Sequence, residues 1–497
     1  MSAEPSHDQG QQQATARPGY GISTWPDTDA IYERLRRLLA QPPLPIRRSE
    51  MPAVLRYFEQ RCARSRQLAQ RAAEVIPGGV QHNLAFNYPF PLTVERCDGA
   101  FMYDVDGNRY IDFLQAGGPT LLGSNYRPVR EAVHALLDHC GAVTGMVHEY
   151  EIKLAELIRE HMPAVEMFRM LGSGTEGVMG AIRLARAFTG RPWVIKIGGA
   201  YHGWSDQMVY GMRLPGTGRR EAIGIPGAAT RYTQECFPND LDALRRKLWL
   251  NRLRGGTAAV ILEPLGPESG TRPAHKDYNA GARALCDEFG ALLIFDEVVS
   301  GFRVGMGGAQ GYLGVKPDLT VLGKCLTGGY LMAGGIGGRR DVMALLAGGL
   351  GASSKRAFVG GTLSANPLSC VAGYHAIGEM ARTNAPVLAG RAGDRLCRGL
   401  SEIIERLQLP YVVYNQGSIV HLQTSAVLLL STRNPLKLLR EVKSRKHMME
   451  EMGAACMAHG IVTLAGSRLY TSMADTDAVI DEALNRFESV LSLARPR

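Results

Sequence analysis

The sequence predicts an α/β protein with a mainly parallel sheet covered by helices on both faces, plus a second, smaller domain. From about residue 120, short apolar segments alternate with helical segments, which is typical of a parallel sheet. Past about residue 385 the pattern changes to helices around a few strands. The 497 residues are enough for a large core and two or three domains.

The elements before residue 120 are predicted from amphipathic spacing and breaker residues. Residues 28–40 have the pattern of an amphipathic helix, which the proline-rich stretch after it ends. Residues 52–76 predict a longer helix, stopped by Pro-Gly-Gly at 77–79. Residues 98–113 alternate around Asp-Gly-Asn and predict a hairpin.

The predicted sheet begins after these elements. Six apolar segments have the length and composition of buried strands: residues 167–171, 193–197, 258–263, 291–296, 319–323 and 333–338. The resulting domain plan is an N-terminal extension (1–50, partly disordered), the first part of a small domain (51–119), a large domain (120–384) and the C-terminal part of the small domain (385–497).

Composition excludes several classes of function. Hydrophobic residues make up 45% and charged residues 21%, as in an ordinary globular protein. The sequence has no run of about 18 apolar residues, so we expect no membrane span. The net charge of +9 comes from scattered basic residues without interleaved aromatics, so nucleic acid is not an expected partner. The polar first 21 residues lack the apolar core of a secretory signal.

Nine cysteines are dispersed along the chain without a Cys-x-x-Cys pair. An odd, scattered set of this kind argues for reduced thiols in the cytoplasm, and against a disulfide framework or a metal site.

The loop "GSGTEG", residues 172–177, follows a predicted strand and opens a predicted helix. Ser173 and Glu176 have the spacing of a capping box, and free backbone N–H groups at such a helix start favour an anion. A dinucleotide site would need a carboxylate after the next strand. Residues 198–201 contain none, so the loop favours a different phosphate.

Three further side chains fall at or just after the carboxyl ends of predicted strands, where ligands of open α/β sheets gather. They are Tyr201, Asp296 and Lys324. This set suits pyridoxal phosphate: a desolvated lysine is nucleophilic toward the aldehyde, and an aspartate holds the protonated pyridine nitrogen.

Longer motifs resemble the class III pyridoxal-phosphate-dependent aminotransferases. They are "GSGTEGVMGAIRLARAFTG", "AYHGWSD", "ALLIFDEVVSGFRVGMGGAQGYLGVKPDLTVLGKCLTGG" and "GGTLSANPLSCVAG". The resemblance covers about residues 60–490 and is nearest to glutamate-1-semialdehyde 2,1-aminomutase and its relatives. It implies fold type I, a seven-stranded sheet in the large domain, and a homodimer with active sites at its interface.

The resemblance also implies a role for each matching residue. Lys324 would form the Schiff base and shuttle the proton, and Asp296 would pair with the pyridine nitrogen. The other cofactor-binding residues would be Val298 beneath the ring, Tyr201 stacked over it with His202 beside it, Gly174 and Thr175 at the phosphate, and Thr362 reaching the phosphate of the neighbouring subunit.

The sequence departs from the family pattern at three places. The usual "NSGTEA" has glycines at 172 and 177, which predicts a looser loop. After Pro-Gly-Gly the relatives carry an arginine that holds a substrate carboxylate, and His82 falls about where it would be. Residues 115–128 also differ from the common "GHAHP" pattern, which indicates a different pocket.

Other arginines are candidates for the missing anion clamp. Arg303, seven residues past Asp296, is the best placed. The others are Arg468 and, in an expected gating loop at about 204–226, Arg213, Arg219 and Arg220.

The predicted activity is transfer of an amino group between a small-molecule amine or amino acid and a keto acid. A 1,2-aminomutase, an ammonia-lyase acting on a non-standard amine, and a non-catalytic binding protein of the same fold stay open, since the first two share the cofactor residues.

Overall fold

The computed structural model describes residues 17–494, except 86, 144, 213–214, 350–355, 427–434 and 465, and it gives backbone only for 435–441. Of the predicted disordered polar tail at 1–21, residues 1–16 therefore lie outside the described residues, whereas Tyr20 forms an antiparallel bridge with Gly305. The helices are α1 Thr28–Ala40, α2 Met51–Arg61, α3 Ala63–Val75, α4 Arg127–Leu137, α5 Glu149–His161, α6 Gly174–Thr189, α7 Gly227–Thr230, α8 Leu241–Arg252, α9 Tyr278–Phe289, α10 Gly308–Leu313, α11 Arg340–Met343, α12 Pro367–Thr383, α13 Ala385–Arg406, α14 Pro435–Ala458 and α15 Asp477–Ser492.

The strands form three sheets. They are β1 Val94–Asp98, β2 Phe101–Asp104, β3 Arg109–Asp112, β4 Met167–Leu171, β5 Trp193–Ile197, β6 Thr233–Cys236, β7 Thr257–Leu262, β8 Leu292–Asp296, β9 Leu319–Gly323, β10 Gly334–Gly338, β11 Val412–Gln416, β12 Ile419–Gln423, β13 Ile461–Val462 and β14 Arg468–Tyr470.

The largest sheet has seven strands in the order β4-β10-β9-β8-β7-β5-β6. The five strands from β9 to β6 pair in parallel, and β10 is antiparallel to both of its neighbours. The predicted mainly parallel sheet is confirmed. All six predicted strands are present within one residue at each end, and β6 is the one not predicted from its own residues. Strands β7, β8 and β9 are buried along their whole length, as expected for strands covered on both faces.

The two ends of the chain share a separate core. Side chains of α1, α2, α13, α14 and α15 pack there with β3, β11 and β12. The β1-β2-β3-β13 sheet is completed by the parallel pairing of β13 with β3, and β11-β12-β14 forms the third sheet. This α/β unit, next to the seven-stranded sheet, agrees with fold type I.

The predicted helix at 52–76 is wrong as a single element, because Cys62 leaves helical geometry at φ −129° and ψ 39°. The turn of the β2-β3 hairpin causes the break. Asp106 Oδ1 accepts from the Arg64 N–H (2.7 Å) and its Oδ2 from the Ser65 N–H (2.9 Å), so its carboxylate caps a new helix start.

Candidate active site

Lys324 and Asp296 lie at the carboxyl ends of adjacent parallel strands, β9 and β8. Val298 lies between them and the start of α6. A Cβ on Gly174 would lie 2.7 Å from Val298 Cγ2, and one on Gly323 would lie 3.0 Å from Val298 Cγ1. The two glycines therefore let the strand ends and the helix start close around one apolar side chain.

The Asp296 carboxylate is buried and accepts two hydrogen bonds. Its Oδ1 accepts from the Val298 N–H (3.1 Å), and its Oδ2 lies 2.7 Å from His202 Nδ1. Burial lowers the pKa of His202, although the bond to Asp296 opposes this shift. His202 is therefore neutral near pH 7 and donates its Nδ1–H to the carboxylate. Among the described residues no Lys or Arg pairs with Asp296, and the pyridinium N–H of pyridoxal phosphate would be its ion-pair partner.

The Lys324 ammonium donates to the backbone oxygen of Gly117 at 2.9 Å. Lys324 itself has φ 45°, a strained conformation for a non-glycine residue, which a tight turn after β9 imposes. Its Nζ is thus held by one carbonyl at the strand edge, where an aldehyde could reach it.

The start of α6 offers donors for a phosphate. Ser173 Oγ caps the Glu176 N–H (3.3 Å), and Glu176 Oε2 accepts from the Gly172 N–H (2.8 Å). Within the described chain, no group accepts from the N–H of Gly174 or Thr175. A Cβ on Gly203 would lie 2.8 Å from Thr175 Cα, so the loop after β5 closes against this helix start. Two free N–H groups, a buried carboxylate and a lysine fit pyridoxal phosphate.

Tyr201 follows β5 and is 51% exposed at the edge of this site. Its N–H donates to Glu263 Oε1 at 2.9 Å, and the same carboxylate accepts from Ser269 Oγ at 2.8 Å. Burial and the nearby charge of Asp296 raise the pKa of Glu263 to about 7. Sequence reasoning missed Glu263 as a group that positions Tyr201, although it follows β7 directly just as Asp296 ends β8.

Lys196 is a second missed residue. It is fully buried, and its ammonium donates to the backbone oxygens of Ala200 (3.1 Å), Met208 (3.2 Å) and Tyr210 (2.8 Å). Burial lowers its pKa to about 8. It therefore ties the loop that carries Tyr201 to β5, and a charge inside the apolar segment "WVIKI" was the available signal.

Comparison with known proteins decides the family. Residues 85–491 match the family described as aminotransferase class-III, which is more than half of the chain. The chain belongs to the class III aminotransferases. It is an enzyme that depends on pyridoxal phosphate and moves amino groups between small amines and keto acids.

Solved structures agree with this assignment. An omega-transaminase from Sphaerobacter thermophilus has 30% identity, a TM-score of 0.78, and coverage of 88% of this chain and 99% of its own. A beta-phenylalanine aminotransferase from Variovorax paradoxus has 26% identity, a TM-score of 0.75, and coverage of 89% and 96%. A glutamate-1-semialdehyde-aminomutase from Pseudomonas aeruginosa PAO1, at 22% identity, TM-score 0.78, and coverage of 93% and 99%, shares the fold.

Arg303 is not a substrate clamp in this aminotransferase. Its side chain is fully buried, and its guanidinium donates to Gly118 O, Gln115 Oε1, Ser418 Oγ and Thr471 O. Because protein acceptors engage the guanidinium on both sides, it has no donor left for a substrate, and the prediction from its spacing to Asp296 is wrong.

His82 does not take the place of the missing arginine either. It is exposed, and its Nδ1 accepts from the Leu84 N–H at 3.1 Å, which closes a local turn. Among the described residues of this segment, Leu84 lies near the site: a Cβ on Gly117 would lie 3.5 Å from Leu84 Cδ1 and 3.8 Å from Lys324 Nζ. The segment after Pro-Gly-Gly thus presents an apolar side chain near Lys324.

The remaining candidate arginines differ in environment. Arg468 is buried, donates to Glu268 O (2.9 Å) and Thr271 Oγ1 (2.7 Å), and lies 3.4 Å from Glu268 Oε1. Arg219 and Arg220 are exposed in the loop after Tyr201, and Arg213 lies outside the described residues.

Gly172 and Gly177 do not loosen the phosphate loop as predicted. A Cβ on Gly177 would lie 2.7 Å from Val321 Cγ1 and 3.0 Å from Gly335 O, and one on Gly172 would lie 2.9 Å from Met332 Cε. Both glycines therefore allow close packing of the loop and of α6.

Thr362 is exposed in the segment before α12. A Cβ on its neighbour Gly361 would lie 3.9 Å from Glu176 Oε2, so this segment runs beside the start of α6 in its own subunit.

In the part of the chain that the structure describes, no helix is suited to cross a membrane and no cluster of side chains is suited to a metal ion.

Proposed function

We propose that this aminotransferase uses Lys324 as its cofactor lysine and accepts amines that carry an apolar group, with a keto acid as the second substrate. The observation that supports the first part is the placement of Lys324 Nζ and the buried Asp296 carboxylate on adjacent strand ends around Val298. Leu84, at the segment where relatives carry an arginine, supports the second part.

Pyridoxal phosphate, when bound, supplies an aldehyde for the amine and an electron sink for the carbanion. Gly174 and Thr175 N–H groups would hold its phosphate, and Asp296 its pyridinium N–H. Tyr201 would cover one ring face and Val298 the other. Lys324 Nζ, when it is free as an amine, would take a proton from the substrate carbon, hold it and give it back.

Arg468 is the arginine that we propose to bind the carboxylate of the keto acid. Its Glu268 partner has a side chain that is half-exposed, so this partner can swing out while Arg468 stays. The Arg468 Nε is buried without a partner in the described chain, which leaves a donor for a second oxygen. The N–H groups of Glu268 (2.7 Å) and Tyr201 (2.9 Å) both donate to Glu263 Oε1, so the partner of Arg468 lies beside Tyr201.

A homodimer is the assembly that we propose. Near the start of α6, large apolar side chains are exposed on the segments that surround Thr362, including Phe358 and Leu363. Exposed apolar side chains beside a functional segment favour burial against a second copy of this chain. In that dimer Thr362 would reach the phosphate of the neighbouring subunit.

The nine cysteines, all free, favour a reducing compartment, the cytoplasm.

A single-turnover experiment tests the proposed reaction. The protein loaded with pyridoxal phosphate is mixed, without keto acid, with amines that differ in the presence and position of a carboxylate. Conversion of the bound cofactor to its amine form, with one carbonyl product, is expected, fastest for apolar amines. An isomer of the substrate would instead mean a mutase, and free ammonia a lyase. K324A should give no conversion, and R468A should raise KM for the keto acid without changing the first half-reaction.

A further inference from the structure

The turn that receives Lys324 is strained and must be held from outside. Residues Gln115, Ala116, Gly117 and Gly118 have φ values of 46°, 53°, 85° and 112°, four positive values in a row. Two of them lack the conformational freedom of glycine. The carbonyl of Gly117 is the acceptor for Lys324 Nζ at 2.9 Å, so whatever holds this turn also holds the lysine.

Arg303 holds the turn with its guanidinium. The Nε donates to Gly118 O at 3.1 Å, Nη2 donates to the same oxygen, and Nη2 also donates to Gln115 Oε1 at 3.3 Å. The other side of the guanidinium is anchored on the C-terminal sheet, where Nη1 donates to Ser418 Oγ and Thr471 O, both at 3.0 Å. The fork thus joins the turn to the residue before β12 and the residue after β14.

The surroundings leave the Gly118 peptide little room to move. A Cβ on Gly118 would lie 3.3 Å from Tyr470 Cζ, and Arg303 Cζ lies 4.9 Å from the centre of that ring. Cys325, next to Lys324, donates its thiol to Gly118 O at 3.5 Å. Arg303 therefore donates to an oxygen, Gly118 O, that also accepts from the residue next to Lys324. Gly118 is in turn the neighbour of Gly117, whose carbonyl accepts from Lys324.

We propose that Arg303 is a positioning residue for Lys324. Its fork fixes the Gly118 peptide, the turn fixes the Gly117 carbonyl, and that carbonyl fixes the amine from which the reaction proceeds. Arg303 does not touch the reacting atoms, and it sets where Lys324 Nζ lies when that group is free of the cofactor. The inference rests on the proposed role of Lys324.

The test compares R303K with R283K as a matched control. Lysine at 303 keeps the charge but loses the planar fork that serves both sides. Arg283 is also mostly buried and is paired with Asp318 at 2.6 Å, at the end of β9 opposite to Lys324. Both variants replace a mostly buried guanidinium, but only R303K removes one that contacts the turn at 115–118.

Two readouts separate positioning from stability. Cofactor-free protein is mixed with pyridoxal phosphate, reduced with borohydride at increasing times, and the labelled lysine is located by peptide mass. R303K is expected to slow labelling of Lys324 and to lower kcat by about tenfold to a hundredfold, with KM changed far less, because a displaced reacting group costs that much. R283K is expected to lower the melting temperature to a similar degree and to label at the wild-type rate.

Equal labelling rates in R303K and R283K would overturn the inference. If R303K does not fold, S418A carries the test, since it removes one anchor of the guanidinium without touching the turn; a slower labelling rate supports the inference and an unchanged rate overturns it. Wild-type label on a lysine other than Lys324 would overturn the proposed function itself, and the position of the label distinguishes the two failures.

Discussion

His202 Nδ1 and Asp296 Oδ2 lie 2.7 Å apart, and both side chains are almost completely buried. His202 follows β5 and Asp296 ends β8, so this bond joins the loop that carries Tyr201 to the strand end beside Lys324. Because His202 is neutral, the pair would keep the negative charge of Asp296 available for the cofactor proposed to bind there.

Replacing His202 with phenylalanine is expected to weaken cofactor binding about tenfold to a hundredfold. The ring stays but the donor is lost, and a hydrogen bond to a charged group is worth about 1.5–3 kcal/mol. The measurement is the dissociation constant of pyridoxal phosphate from the cofactor-free protein. H375F changes a partly buried histidine on α12 and should leave that constant unchanged; equal effects would show that the His202 bond does not act on the cofactor.

The protonation of Glu263 should make stability depend on pH. Its ordinary pKa is 4.5, and burial raises the pKa to about 7 in the folded protein. Between these values the folded state binds the proton more tightly, so the stabilisation is fully present below pH 4.5 and is lost as the pH rises to about 7. The measurement is denaturant unfolding of wild type and E263Q at several pH values. Over this pH range the unfolding free energy of the wild type should fall relative to that of E263Q.

The control for this prediction is E288Q, which changes an exposed carboxylate paired with Arg245. Its unfolding free energy should run parallel to that of the wild type across the same range. Parallel curves for E263Q as well would mean that Glu263 ionises in the folded protein as it does in the unfolded chain.

Gly177 gives a prediction opposite to helix propensity. Alanine is the better helix former by about 1 kcal/mol, yet its Cβ would lie 2.7 Å from Val321 Cγ1 and 3.0 Å from Gly335 O. G177A is therefore expected to lower the unfolding free energy by about 1–3 kcal/mol, because overpacking pushes α6 away from the sheet. Thermal unfolding of the cofactor-free protein measures it.

Gly378, in α12, is the matched site, because no atom lies within 4 Å of a Cβ built there. G378A should be neutral or raise the melting temperature. A gain in stability for both variants would show that the sheet yields at Gly177 without cost.

The sequence predicted those site residues that lie at the ends of clearly apolar strands. Asp296 and Lys324 come directly at or after buried apolar segments, so their shared sheet edge followed from parallel topology alone. Strand β6, "TQEC", is short and half-polar at the sheet edge, and its residues indicate no strand. Only pairing with β5 makes it one.

The details of the pocket depend on contacts between segments far apart in the chain. Arg303 donates to the strained turn at 115–118, and its other side donates to Ser418 and Thr471. Spacing to Asp296 therefore placed Arg303 near the site but could not show that protein acceptors engage its whole guanidinium. The local turn that the Leu84 N–H closes by donating to His82 Nδ1 likewise could not be predicted from the sequence.

The segment before α1 should contribute measurably to stability. Trp25 is buried, stacks on Tyr312 with ring centroids 5.8 Å apart, and donates its indole N–H to Ala274 O at 3.0 Å. W25A is expected to destabilise the protein by about 3–5 kcal/mol, as for other buried aromatics. W249A truncates a tryptophan that is 54% exposed on α8 and should leave the melting temperature nearly unchanged. Equal melting temperatures would mean that the N-terminal segment does not pack in solution.

The last prediction concerns the apolar side chain beside Lys324. L84R is expected to raise kcat/KM about tenfold for an amine that carries a carboxylate, relative to its uncharged analogue. A Cβ on Gly117 would lie within 3.8 Å of both Leu84 Cδ1 and Lys324 Nζ, and a charged hydrogen bond is worth about 1.5–3 kcal/mol. H82R is the control, since His82 is exposed and turned toward the Leu84 N–H. The measurement is the ratio of kcat/KM for the two amines in each variant. If H82R gains as much as L84R, the arginine acts through the general charge of the surface, and Leu84 does not set the choice of substrate.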